Sequence, residues 1–193
     1  MDYWRAHPAG HSVHLHGFLN SMSGMEIERK FLLKKGCDFK AQAYAHDRIK
    51  QGYIASGHGR TVRVRLRGNR GFLTIKGPSL DGGLSRYEFE KEITTDEAEQ
   101  LFRLCEPGII DKTRYLVHSG KHTFEVDEFY GDNEGLLMAE VELSSPDEPF
   151  EKPDFIGKEV TGDRRFYNSH LRMNPFRLWE NTLETEAPGT PQE

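Results

Sequence analysis

Polar and apolar residues alternate along much of the chain from Met25 onward, in short runs that Gly, Asn, Asp and Pro separate. A period of two is typical of β-strands that bury one face. The sequence predicts eight such strands, at 25–33, 47–55, 60–67, 71–77, 85–93, 112–119, 121–129 and 136–143. Eight short strands are enough to close a β-barrel.

Turn and cap residues mark where the strands reverse and where helices begin. Gly68-Asn69-Arg70-Gly71 and Ser119-Gly120 have the composition of hairpin turns. Helices are predicted at 38–46, 94–105 and 163–172, because Thr94 and Glu97 have the spacing of a capping box and Asp163 is suited to an N-cap. The pattern therefore predicts a mainly antiparallel β fold with flanking helices.

The two ends of the chain lack these patterns. Residues 1–24 carry His7, His11, His14 and His16 among Gly, Ser and Pro, without helix or strand periodicity. We interpret them as a non-native or disordered leader before a native start at Met25, with a metal-binding role for the histidines as the alternative. Residues 181–193 contain almost nothing apolar and are predicted to be disordered. One domain remains, at 25–180.

Composition excludes several classes of protein. The formal net charge is -5 and the pI is near 6.0, which argues against a protein that binds nucleic acid through bulk positive charge. Cys37 and Cys105 are too few for a disulfide framework. No apolar run approaches the ~20 residues of a membrane-spanning helix. We expect a cytoplasmic protein without a membrane or nucleic-acid partner.

Charged residues recur two apart on the predicted strands, which gives each strand one charged face. Arg63 and Arg65 share a face on one strand, whereas Glu140 and Glu142 share a face on another. An ordinary sheet with its charges in water is the alternative. Segregation of the two signs among different strands favours a charged barrel interior, where carboxylates bind divalent cations and basic side chains bind phosphate oxygens. The apolar faces would then point outwards, under the helices.

The order of these motifs resembles the CYTH domain family, also called the triphosphate tunnel metalloenzymes. The resemblance opens with Glu26-Ile27-Glu28-Arg29-Lys30, which fits the N-terminal Glu-x-Glu-x-Lys signature, and extends to about Leu171. The further motifs, in order, are Gln51-Gly52-Tyr53, Val62-Arg63-Val64-Arg65, Thr74-Ile75-Lys76, Tyr87-Glu88-Phe89-Glu90, Lys112-Thr113-Arg114-Tyr115, Glu125-Val126-Asp127-Glu128-Phe129, Ala139-Glu140-Val141-Glu142-Leu143, Glu159-Val160-Thr161 and Tyr167-Asn168-Ser169-His170-Leu171.

The resemblance implies an eight-stranded closed tunnel with a charged interior, and it assigns roles to the matching residues. The expected phosphate ligands are Lys30, Arg63, Arg65, Lys76 and Arg114. The expected ligands of Mg²⁺ or Mn²⁺ are Glu26, Glu28, Glu140 and Glu142, with Asp127 as a ligand of a second metal or a group that supports the first ligands. Lys112 and Tyr53 resemble a pair that serves the cleavage step in the short bacterial triphosphatases of the family. Lys30 is the third residue expected to act in catalysis.

The function that the resemblance implies is metal-dependent hydrolysis of a linear triphosphate, with inorganic tripolyphosphate favoured as the substrate. Three alternatives remain open: a nucleoside or thiamine triphosphatase, a class IV adenylate cyclase, and a polyphosphate-binding module without turnover. The carboxylates argue against the last, because they would repel an anion unless a metal intervened. The oligomeric state also remains open, with a homodimer among the alternatives.

Overall fold

The architecture is an antiparallel barrel, which a computed structural model describes over residues 25–185. Eight strands follow the order β5-β4-β3-β2-β6-β7-β8-β1, and β1 pairs back to β5, so the sheet closes. The short β9 pairs with the outer part of β1. The strands are β1 Met25–Leu33, β2 Ala43–Gly57, β3 Arg60–Arg67, β4 Arg70–Leu80, β5 Ser85–Ile93, β6 Ile110–Ser119, β7 His122–Phe129, β8 Leu137–Glu142 and β9 Ile156–Glu159. All eight predicted strands are confirmed, whereas β9 was not predicted.

Short helices connect and follow the strands. The α-helices are α1 Thr95–Phe102, α2 Asn168–Leu171 and α3 Glu180–Thr185, and 3-10 turns occupy Lys40–Gln42, Asp81–Gly83, Gly131–Asn133, Arg164–Phe166 and Phe176–Leu178. The predicted capping box is present, since the Thr94 hydroxyl accepts from the backbone N–H of Glu97 while the Glu97 carboxylate accepts from that of Thr94. No helix between residues 25 and 185 is long and apolar enough to cross a membrane.

The prediction of a helix at 38–46 is wrong. The segment forms only the 3-10 turn Lys40–Gln42, after which β2 begins at Ala43. Pairing with β6 outweighs the helical preference of an alanine-rich segment. In β2, Tyr44 stacks on His118 with their ring centroids 4.0 Å apart.

The predicted helix at 163–172 is interrupted. Asp163 accepts from the backbone N–H of Arg165 as a cap, as expected. Tyr167 then has extended backbone angles, so that a 3-10 turn precedes it and α2 follows it. The break turns Tyr167 and the start of α2 towards the barrel.

Residues 181–185, predicted to be disordered, form most of α3 instead. Trp179 is buried just before this helix, and Leu183 packs against the same apolar cluster. Burial of these two apolar side chains explains why the segment forms a helix. The predictions for 1–24 and 186–193 fall outside the described residues.

Apolar side chains lie outside the barrel, in two clusters. The first cluster is covered by β9 and the segment before it, and contains Phe31, Phe39, Val117, Phe124, Val126, Ala139, Val141, Leu143, Phe155 and Ile156. The second cluster is covered by the C-terminal segment, and contains Ile110, Phe129, Leu136, Met138, Val160, Phe166, Leu171, Phe176 and Trp179. We expected helices to cover the outer face of the barrel, and this holds only in part. The helix α1 packs over β2, β3 and β4, whereas the first cluster is covered by β9 and the segment before it.

The barrel closes through a narrow seam between β1 and β5. Only three residue pairs join these strands, from Met25 opposite Tyr87 to Ile27 opposite Ser85. The other edge of β1 pairs with β8 over five residues.

Candidate active site

The inward faces of the barrel strands carry charged side chains that are largely buried. Lys112 is 1% exposed and Asp127 is 0% exposed. An isolated buried charge is strongly unfavourable, so such groups must find partners of opposite sign. Each basic group described below contacts at least one carboxylate.

Lys30 is held between two carboxylates. Its Nζ donates to Glu140 Oε1 at 2.5 Å and lies 3.0 Å from Glu28 Oε1. Burial alone would lower the pKa of Lys30, but Glu140 and Glu28 outweigh burial and raise it. Burial likewise opposes ionisation of Glu140, yet Lys30 and Arg114 hold the Glu140 pKa well below its ordinary value. Both groups are therefore charged at neutral pH.

Lys76 and Arg86 share the carboxylate of Glu26. Lys76 Nζ lies 2.7 Å and Arg86 Nε 2.9 Å from Glu26 Oε2. Arg86 also donates to Glu28 Oε1 at 2.5 Å, while Lys76 lies 2.6 Å from Glu88. These contacts join β1, β4 and β5 inside the barrel.

Arg63 and Arg65 project inward from β3 towards β4 and β5. Arg63 Nη2 donates to Thr74 Oγ1 at 3.2 Å, and Arg65 Nη2 donates to Glu90 Oε2 at 3.0 Å. The Nε atoms of both arginines are buried without an acceptor among the described residues. Burial and the nearby Arg63 lower the pKa of Arg65 to about 10, at which it remains charged at neutral pH. Two buried guanidinium N–H groups are thus left without an acceptor, of which that of Arg63 belongs to a residue that lines the cavity described below.

Asp127 joins Lys112 to Arg114. Lys112 Nζ donates to Asp127 Oδ2 at 2.5 Å, and Arg114 donates to Oδ1 at 2.7 Å and to Oδ2 at 2.6 Å. Arg114 also contacts Glu140 Oε2 at 3.0 Å and the carboxylate of Glu125. Burial, which outweighs the attraction of Asp127, lowers the pKa of Lys112 to about 8.

Tyr53 is the predicted catalytic phenol, and it is 4% exposed. Gln51 Nε2 donates to its hydroxyl at 3.2 Å. Burial raises the Tyr53 pKa, while Arg63 and Arg86 only partly oppose this. The phenol therefore stays protonated at neutral pH, where it can donate a hydrogen bond.

A cavity of about 40 Å³ lies among these groups. Its barrel side is lined by Lys30, Tyr53, Thr61, Arg63, Lys76 and Arg86. Tyr167, Asn168 and Ser169 line the opposite side. The structure therefore brings Lys30, Arg63 and Lys76 together around one space, while Arg65 and Arg114 lie outside its lining.

The carboxylates expected to bind metal are placed unequally. Glu26, Glu28 and Glu140 are engaged with basic side chains, and Glu142 is exposed opposite Glu28 in the β1–β8 register. Within residues 25–185, this arrangement brings no three Asp, Glu, His or Cys side chains close enough to hold an ion. Their oxygen donors nevertheless suit Mg²⁺ or Mn²⁺. Glu28 and Glu140 already bracket a cation, the ammonium of Lys30.

Sequence reasoning did not assign Arg86 or the residues at 167–169 to the site. Arg86 lies two residues before Glu88 and four before Glu90 on the same strand, so the period of two did indicate that its side chain lies on the charged face. Residues 167–169 belong to the last motif of the family resemblance, which gave them no role in the site, and they reach the cavity through the break at Tyr167.

Known proteins are similar to this chain over most of its length. A family model described as the CYTH domain matches residues 24–167. An inorganic triphosphatase of Acetivibrio thermocellus is 46% identical over 155 residues, which are 80% of this chain and 97% of the relative. An inorganic triphosphatase of Nitrosomonas europaea is 36% identical over 156 residues, which are 77% of this chain and 97% of the relative. A solved structure of an inorganic triphosphatase superposes with a TM-score of 0.55, at 31% identity over 77% of this chain and 94% of that chain.

Proposed function

This chain belongs to the CYTH domain family, and from that premise we propose that it hydrolyses inorganic triphosphate to pyrophosphate and phosphate. The observation that carries the proposal is the convergence of Lys30, Arg63, Lys76 and Arg86 on one internal cavity. Three buried cations and the partly exposed Arg86 around one space suit a compact, highly charged anion. The substrate is inferred from the two relatives, both inorganic triphosphatases matched over 97% of their length.

The basic residues bind the phosphate chain and neutralise the charge that develops on it. In hydrolysis, a water oxygen bonds to a terminal phosphorus, and the bridging P–O bond breaks so that its electrons remain on pyrophosphate. The released phosphate keeps one hydrogen of the water, and the other passes to pyrophosphate or to solvent. Such reactions depend on positioning and on electrostatic stabilisation of the leaving oxygens. The residues in this role are Lys30, Arg63, Arg65, Lys76, Arg86 and Arg114.

Four glutamates are the proposed metal ligands: Glu26, Glu28, Glu140 and Glu142. A divalent ion bound there, Mg²⁺ or Mn²⁺, supplies Lewis-acid neutralisation of phosphate oxygens. Asp127 is instead bonded to Lys112 and Arg114, which favours a role in orienting those two side chains.

Tyr53 and Lys112 are proposed to serve the cleavage step. Tyr53 lines the cavity as a protonated phenol and can donate a hydrogen bond to a phosphate oxygen. Lys112 is directed by its bond to Asp127. Neither role requires these side chains to leave the barrel interior.

The test is a panel of substrates. Phosphate release is measured from tripolyphosphate, pyrophosphate, ATP and thiamine triphosphate with Mg²⁺ or Mn²⁺, and cyclic AMP is assayed alongside. We expect the highest kcat/KM with tripolyphosphate and no turnover in excess EDTA. Faster turnover of ATP or thiamine triphosphate, or formation of cyclic AMP, would replace the proposed substrate. Binding without phosphate release would indicate a binding module.

A matched pair of variants separates the site from the rest of the surface. Lys30→Ala should abolish turnover, whereas Lys34→Ala, an exposed lysine just after β1, should retain it. Equal activities of the two variants would contradict a site inside the barrel.

A further inference from the structure

Arg172 is a buried arginine that is not one of the proposed phosphate ligands. It follows α2 directly, and its side chain is only 5% exposed. It does not line the cavity that holds Tyr53 and the basic residues. An arginine side chain stays charged in a protein, and burying a charge is unfavourable unless its contacts compensate. The contacts of Arg172 must therefore offset its loss of hydration.

The guanidinium group of Arg172 contacts one loop and one ring. Its Nη1 donates to the backbone oxygen of Pro107 at 2.9 Å, and its Nη2 donates to the carboxylate of Glu106. Its Nε is buried without an acceptor among residues 25–185. Its Cζ lies over the ring of Tyr53, 5.8 Å from the ring centroid. A cation within about 6 Å of an aromatic centroid is attracted to the face of the ring. Arg172 therefore joins the loop after α1 to the proposed catalytic phenol.

Glu106 binds Tyr53 and Arg172 at the same time. Its backbone N–H donates to the backbone oxygen of Tyr53 at 2.8 Å, while its carboxylate accepts from Arg172. Tyr53 is thus held at its backbone by Glu106 and at its ring by Arg172. A side chain held at both places has less freedom to turn away from the cavity, which is what a reacting group requires.

Two glycines bring this loop close enough for these contacts. A side chain at Gly52, next to Tyr53 on β2, would place its Cβ 2.7 Å from Cys105 Sγ. One at Gly108, which has a φ of +92°, would place its Cβ 2.4 Å from the backbone oxygen of Arg172. Both distances are shorter than van der Waals contact. The loop therefore packs directly on β2 on one side and on Arg172 on the other.

The hydroxyl of Tyr53 has a hydrogen left to donate. Its oxygen accepts from Gln51 Nε2 at 3.2 Å, and burial raises the pKa of Tyr53, so that the hydroxyl is protonated at neutral pH. Tyr53 lines the same cavity as Lys30 and Arg63. A phosphate oxygen held by these two cations is an acceptor that suits this hydrogen. The direction of the ring then decides whether the hydrogen bond forms.

We propose that Arg172 is a positioning residue for the cleavage step, which holds the ring of Tyr53 so that its hydroxyl donates to a phosphate oxygen in the cavity. The inference rests on the proposed function, because the role of Tyr53 is part of it. Arg172 itself does not touch the substrate. Its loss should therefore slow cleavage while substrate binding by Lys30, Arg63 and Lys76 is kept.

The test is a double-mutant cycle between Arg172 and the Tyr53 hydroxyl. Arg172→Met removes the cation but keeps a long unbranched side chain, and Tyr53→Phe removes the hydroxyl but keeps the ring. In the wild-type background, Arg172→Met should lower kcat for tripolyphosphate about tenfold or more and change KM less than about twofold, since a small misplacement of a reacting group is costly. In the Tyr53→Phe background, the same change should lower kcat less than about twofold. Arg172→Lys, which keeps a cation, should recover part of kcat.

Arg177→Met is the matched control, because Arg177 belongs to the same C-terminal segment but its side chain is 59% exposed. It should keep the wild-type kcat. A folded Arg172→Met with wild-type kcat would overturn the inference, and so would an equal loss of kcat in both Tyr53 backgrounds or a rise in KM alone. Urea unfolding checks that each variant is folded. If Arg172→Met does not fold, Glu106→Gln, which removes the charge paired with Arg172, takes its place in the same cycle.

A spectroscopic measurement separates this inference from the proposed function. Tyrosine labelled with carbon-13 at Cζ gives a signal for each of the seven tyrosines, and Tyr53→Phe identifies the signal of Tyr53. Arg172→Met should shift that signal, whereas Arg177→Met should not. An unchanged signal would overturn the inference whether or not the protein cleaves tripolyphosphate. If the wild type cleaves a different triphosphate, only the proposed substrate is wrong, and the cycle is measured with that triphosphate.

Discussion

Lys30 and Glu140 face each other as register partners on β1 and β8, and their side chains are joined by a 2.5 Å hydrogen bond. The pair links the two proposed ligand sets, since Lys30 is assigned to phosphate and Glu140 to metal. Each side chain neutralises the other inside the barrel. Binding of either ligand alone would take one partner and leave the other buried charge with a single remaining counter-charge, Glu28 for Lys30 or Arg114 for Glu140, which is unfavourable.

Metal and triphosphate should therefore bind with positive coupling. We expect Mn²⁺ to bind about tenfold or more tightly in the presence of imidotriphosphate, and the analogue to gain the same factor from Mn²⁺. Calorimetric titration of each ligand with and without the other measures the factor. After correction for the Mn²⁺–analogue complex in solution, equal Mn²⁺ affinities would show that the two ligand sets act independently.

Arg65→Ala and Glu142→Ala should both lose activity, but they should respond differently to metal. Loss of Arg65 leaves a phosphate charge unpaired and should weaken analogue binding by ~2–5 kcal/mol, with no recovery at high Mn²⁺. Loss of Glu142 should raise the Mn²⁺ concentration for half-maximal activity, with at least partial recovery at saturation. Activity is measured against metal concentration for both variants.

Arg60→Ala serves as the control for that pair, because Arg60 lies on the same strand as Arg65 but is exposed. All three variants should unfold near the wild-type temperature. Folded Arg65 and Glu142 variants with wild-type turnover and metal dependence would mean that neither residue belongs to the site.

Arg86→Ala should impair both stability and activity. Arg86 contacts Glu26 and Glu28, and its removal leaves these carboxylates with fewer partners. We expect the free energy of unfolding to fall by about 3 kcal/mol and kcat/KM to fall at least about tenfold. Arg86→Lys should recover part of the stability, because a positive charge remains. Urea unfolding and steady-state kinetics test both effects, and an active, stable Arg86→Ala would contradict the role.

The capping box gives a prediction about pH. Hydrogen bonds from the Thr94 backbone and hydroxyl lower the pKa of Glu97. A carboxyl whose pKa is lower in the folded than in the unfolded state stabilises the fold above its unfolded pKa, about 4.3, and loses that effect as the pH falls through the folded value. Wild type should therefore lose stability faster than Glu97→Gln below about pH 4.3, and urea midpoints from pH 5 to 3 measure the difference. Parallel curves would contradict the assignment.

The strands were predictable because each alternates strongly enough to give its own face. One apolar and one charged face can be recognised in Val62-Arg63-Val64-Arg65 without knowing which strands lie beside it. β9 has only four residues, Ile156–Glu159, which are too few to show a period. The segment at 38–46 has local helical preference, and only its pairing with β6 makes much of it a strand.

Only the part of the candidate site that lies on barrel strands was predictable from the sequence. Lys30, Arg63 and Lys76 each lie on a strand whose period places them inside. Which carboxylate pairs with which base depends on strand order and stagger, and no single strand contains that information. Asn168 reaches the cavity through tertiary packing of the C-terminal segment.

The narrow seam between β1 and β5 has a consequence for how the protein folds. Its residues are about sixty positions apart in sequence, whereas β3, β4 and β5 are joined by successive hairpins. Long-range pairing carries a larger loss of chain entropy than local pairing, so we expect the seam to form late. Amide hydrogens of Met25–Ile27 should accordingly exchange with solvent before those in the middle of β6 and β7.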